Sequence, residues 1–104
     1  MHSYKMKISR SILETLDEFI KMLVKLETES HEEKLFVAVM AQIGAITDDK
    51  LGMFKPINKS YVLKLNIAQM YALVVLSTDY VPDVQTHLGN YLHMQSLHIQ
   101  KQIA

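Results

Sequence analysis

The chain has 104 residues, 49% of them apolar, and its eleven basic and eleven acidic side chains cancel. That length predicts a single domain spanning 1–104, and the apolar share excludes an intrinsically disordered chain. Neutrality argues against nucleic acid or an anionic membrane as a partner, and the absence of cysteine excludes disulfides, thiol catalysis and cysteine-ligated metal centres.

Tyr4, Met6 and Ile8 alternate with Lys5, Lys7 and Ser9. This period of two predicts a short strand with one apolar face. Ser9 or Ser11 can cap the helix that follows. From Ile12 the apolar spacing turns helical through Ile12, Leu16, Phe19, Leu23 and Leu26, widened by Leu13 and Ile20. Glu14, Asp17, Glu18, Lys21 and Lys25 take the opposite side. Ser30 and Glu33 then form a capping-box pattern ahead of L35-F-V-A-V-M-A-Q-I-G-A-I46. That run is apolar nearly all round, which predicts a helix buried on most faces. Its Ala38, Ala41 and Ala45, with Gly44 beside them, allow another backbone to come close.

Residues 47–59 read as a loop because of Asp48, Asp49, Gly52 and Pro56. Four apolar side chains in it, Leu51, Met53, Phe54 and Ile57, either dock onto the helices or form an exposed contact patch, and they are the candidate interaction surface. Tyr61, Leu63 and Leu65 next alternate with Val62, Lys64 and Asn66, repeating the opening segment. Asn66 and Gln69 make a second capping-box pattern before a helix over Ile67–Leu76. Pro82 suits the first turn of a last helix, with a stripe of Val84, Leu88, Tyr91 or Leu92, Ile99 and Ile103.

The expected fold is mainly α: a four-helix bundle-like domain with a small two-stranded β-ribbon, in the order strand-helix-helix-loop-strand-helix-helix. The strands pair with one another, within one chain or across a dimer. Their apolar faces lie on the helices, and Lys5, Lys7 and Lys64 form the ribbon's outer face.

Motifs for chemistry are few. His31-Glu32 lacks the second histidine of a zinc-protease helix, and Gly44, Gly52 and Gly89 form no phosphate-binding loop. His87 and His98 would lie about 16 Å apart along one helix, too far to share a metal. No catalytic, cofactor-binding or metal residue is assigned, and no cofactor is expected. The opening decapeptide has no apolar h-region, and the longest apolar run is too short to span a bilayer. A cytoplasmic, soluble protein is therefore expected.

Charge is uneven: residues 60–104 hold four Asp, Glu, Lys and Arg against eighteen in residues 1–59. Depletion of charge marks surface that is covered, here by the first half or by a second copy. The expected function is a non-catalytic protein-interaction or assembly module, a homodimer with an unidentified protein partner.

The strand–helix–helix order of residues 4–46 also resembles the ribbon–helix–helix repressors. In that family the paired strands of a dimer enter the major groove and outward side chains read bases. The resemblance implies a DNA-binding regulator with Lys5, Lys7 and Ser9 facing outward. The chain departs from that pattern in three ways. Its first helix is expected to run to about Leu26, Arg10 is its single arginine, and a second strand in the same chain would compete for the pairing.

Overall fold

A computed structural model describes residues 3–26, 28, 30–53 and 60–103. Strand β1 (Tyr4–Ile8) leads into α1 (Arg10–Leu23) and α2 (His31–Leu51), and β2 (Tyr61–Leu65) into α3 (Ile67–Val75) and α4 (His87–Ile103). The strands pair antiparallel within the one chain, Tyr4 opposite Leu65 and Ile8 opposite Tyr61. The expected element order stands, and the open question of strand pairing is answered in favour of a single chain. No described helix is long and apolar enough to cross a membrane.

Alternation decides the ribbon. Tyr4, Met6, Ile8, Tyr61, Leu63 and Leu65 are all buried, while Lys5, Lys7 and Lys64 are exposed. Each fully buried Met, Ile or Leu contributes about 1.5–3 kcal/mol. That outweighs the fraction of a kilocalorie lost where Lys5 and Lys64 stand directly opposite one another. Each strand then hands over to a helix through a polar cap. Ser9 Oγ accepts from Ile12 N at 3.3 Å. Asn66 and Gln69 close the reciprocal box, with both bonds at 2.9 Å.

The same β-α-α unit is used twice. Tyr61 stands 57 positions after Tyr4, and Ile67 and Tyr80 stand 57 after Arg10 and Leu23, the ends of α1. Met6 faces Leu63, its own counterpart at that offset, so a pseudo-two-fold axis passes between them. In the second helices the offset is 56. The inward set Phe36, Met40, Ile43 and Thr47 of α2 is matched by Leu92, Ser96, Ile99 and Ile103 of α4. Both α1 and α3 pack against α2 and α4, so the two halves share one core.

Several expectations are corrected. Helix α1 stops at Leu23, capped by Val24, and Leu26 lies exposed beyond it. Its buried stripe is Leu13, Leu16, Ile20 and Leu23, with Ile12 and Phe19 only half-buried. Asp17, expected on the charged side, is buried at 4% exposure. Thr47 Oγ1 lies 2.7 Å from Asp17 Oδ1, and Lys21 Nζ 2.9 Å from Oδ2. The expected loop begins later than residue 47, because α2 continues to Leu51 and ends at Gly52. The acids Asp48 and Asp49 are helical there, and Lys21 pairs with Asp48 at 3.2 Å.

The last helix also starts later than expected. Pro82 and Val84 precede it, Val84 is exposed, and the N-terminal turn is held by Thr86, whose Oγ1 accepts from Gly89 N at 3.0 Å. At the end of α3 the backbone widens into one π turn, Leu76–Tyr80, where Val81 N donates to Leu76 O at 2.8 Å. This turn carries Tyr80 onto Phe36 of α2, with ring centroids 4.7 Å apart.

Two tyrosines tie α4 to β1. The Tyr91 hydroxyl donates to the Lys7 carbonyl, and the Tyr4 hydroxyl to Gln95 Oε1. Burial raises the pKa of both phenols, and for Tyr91 the nearby Tyr4 raises it further. A folded pKa above the unfolded value near 10 contributes stability that is complete below pH 10 and lost as pH rises past it. The thermal midpoint is therefore expected to fall above about pH 10, and a Tyr4→Phe, Tyr91→Phe double variant to flatten that fall. An identical alkaline slope in the double variant would place the titrating groups elsewhere.

Candidate functional site

The outer face of the ribbon is built by the pairing register. Strand alternation sends Lys5 and Lys7 of β1 and Val62 and Lys64 of β2 to the side away from the helices. Exposed Ser3 and Ser9 extend this face along β1, and Ser60 and Asn66 along β2. Among the described residues, no acidic side chain pairs with Lys5, Lys7 or Lys64, although Arg10 and Lys21 each have carboxylate partners. Opposed lysines with no counter-charge make a local positive field on a molecule whose net charge is zero. Lys5, Lys7 and Lys64 are exposed there, while Ser9 serves the helix as its cap.

A second surface lies along α2. Met40, Ile43 and Thr47 are its only buried residues, so the expectation of a helix buried on most faces is wrong. The core takes one stripe of it. Phe36, Val39, Ile46 and Leu51 are half-buried at its edges, while Leu35 is 68% exposed and Ala38, Ala41 and Ala45 are exposed with it. On one flank Leu35, Phe36 and Val39 form a groove with Tyr71, Ala72 and Val75 of α3. On the other flank Ala41, Gly44 and Ala45 form a groove with Ile20 and Val24 of α1. Beneath the second groove α1 and α2 run close together. A Cβ on Gly44 would come within 2.8 Å of Ile20 Cγ2.

Of the apolar set assigned to the loop, two residues are described. Leu51 belongs to α2 and packs against the core, and Met53 is 43% exposed. Phe54 and Ile57 lie outside the described residues. No family model, curated protein or solved structure matches this chain. Three or more His, Asp or Glu side chains grouped to hold a metal do not occur among the described residues. Asp83 and His87 are not one helical turn apart on α4, because the helix begins only at His87.

Sequence reasoning missed the α2 face because apolar periodicity identifies a helix without saying how many neighbours it has. The signal available was its length. At 21 residues α2 extends about 30 Å, as long as a small domain is wide, and the nine residues of α3 span less than half of that.

Proposed function

We propose that this chain binds double-stranded nucleic acid through the outer face of its ribbon. The observation that carries the reading is the placement of Lys5, Lys7 and Lys64 together, outward and without acidic partners among the described residues, on a two-stranded antiparallel ribbon. A ribbon of this kind fits the major groove of B-form DNA, where lysine donates to guanine and to phosphate oxygens. One departure from the ribbon–helix–helix pattern loses its force, since the first helix ends at Leu23, and one stands, since β2 of the same chain takes the place of a partner's strand in the ribbon.

Fluorescence anisotropy with a labelled duplex of about 25 base pairs tests this. Three lysine contacts predict a slope of about −3 for log K against log salt. Lys5→Glu is the informative variant. It turns a like-charge cross-strand pair into an attractive one, so stability is expected to hold or rise by up to about 1 kcal/mol. Duplex affinity is expected to fall at least tenfold. A variant that binds as well as the parent, or a parent that shows no binding at about 50 mM salt, would overturn the reading.

A second reading, the protein-assembly module, is favoured by the α2 face. Leu35 is 68% exposed and Tyr71 of α3 52%, and the two line one apolar groove, the kind of surface that marks an interaction site. The two readings use different sides of the molecule and are compatible.

A further inference from the structure

The exposed positions along the middle of α2 are spaced symmetrically. Its solvent stripe is Lys34, Ala38, Ala41, Gln42, Ala45 and Asp49, all exposed. These residues lie at spacings of four, three, one, three and four, symmetric about the point between Ala41 and Gln42. The two ends carry opposite charges, and among the described residues neither Lys34 nor Asp49 makes an ion pair. The middle carries only methyl groups and one amide. The two flanks are the apolar grooves toward α1 and α3.

We infer that a second copy of this chain docks here, with its α2 antiparallel to the first across a two-fold axis between Ala41 and Gln42. This rests on the assembly reading and fixes its occupant. The axis sets Lys34 of each copy beside Asp49 of the other, Ala38 beside Ala45, and Ala41 beside Gln42. Alanine at the crossing lets the helix axes approach to about 8 Å, the near end of the range for packed helices. Leu35 of each copy then stands at the edge of the contact, level with Asp48 of the other. An isologous interface of this kind closes on itself and stops at two copies. A parallel arrangement would set Lys34 against Lys34 and Asp49 against Asp49, and is disfavoured by the same charges.

Sedimentation equilibrium of the full chain tests the proposal, with thermal unfolding of each variant as a check on folding. The parent is expected to populate a dimer with a concentration-dependent mass. Lys34→Asp and Asp49→Lys each replace two attractions by two repulsions, and each is expected to weaken dimerisation about tenfold. The double variant Lys34→Asp, Asp49→Lys restores both pairs with the signs exchanged and should recover the parent's affinity. Mixing the two single variants should give a heterodimer tighter than either homodimer. Both positions are exposed, so wild-type melting is expected throughout. A parent that stays monomeric at every concentration would sink this inference and the assembly reading with respect to like copies. A dimer indifferent to both charge reversals would sink the α2 register alone and place self-association on another face.

Discussion

Leu73→Asp is expected to leave the chain without a cooperative fold. Leu73 is 2% exposed on α3, in the core shared by both halves. Its loss removes about 1.5–3 kcal/mol of burial. The carboxylate adds several kilocalories more, because no partner is at hand to compensate a charge taken out of water. Domains of this size have about 5–15 kcal/mol in total. Far-UV circular dichroism against temperature should show a broad, weak transition. Tyr71→Asp is the matched control, two residues earlier on the same helix and 52% exposed. It is expected to melt within a few degrees of the parent, since surface substitutions change stability by about 0.5 kcal/mol or less. Cooperative melting of Leu73→Asp at the parent's temperature would mean that α3 does not present this side to the core.

Gly89→Ala is expected to be the most damaging of the conservative changes. Alanine in a helix is ordinarily worth about 1 kcal/mol over glycine. Here a Cβ would stand 1.9 Å from the Asp83 carbonyl oxygen and 2.7 Å from Thr86 Oγ1. The first of these is backbone and cannot rotate aside. The turn over residues 83–86 would have to open, breaking the Thr86 cap, which is worth about 1 kcal/mol. Overpacking adds about 1–3 kcal/mol, so the clash exceeds the helix-propensity gain and a net loss of about 2 kcal/mol is expected. Urea denaturation measures it. A stabilised variant would show that the turn before α4 relaxes freely.

The ribbon and its caps were legible because the signals are local. Alternation over five residues and a polar residue three positions before a glutamine are read within one turn of chain, and both appear where expected. Asp17 was misplaced for the opposite reason. Its charge assigns it to water, yet it sits four after Leu13 and three before Ile20, on the buried stripe. Thr47, thirty residues away, and Lys21, one helical turn on, make its burial tolerable. The start of α4 was misread because proline favours a first helical turn without compelling one. The spacing Asp83, Thr86, Gly89 carried the better signal. Total charge was the least informative quantity, since eleven and eleven cancel in a sum and say nothing of where the ribbon's lysines lie.

The covalent link between the two halves has a further consequence. In a symmetric pair of identical subunits every surface change is made twice, so both ends of the ribbon must stay alike. Here each half can vary alone, and the two differ: Lys5 of the first strand corresponds to Val62 of the second. A face with unequal ends has a direction. It can lie on an asymmetric target in one orientation only, and its assembly needs no encounter between molecules, so its refolding rate should not depend on concentration.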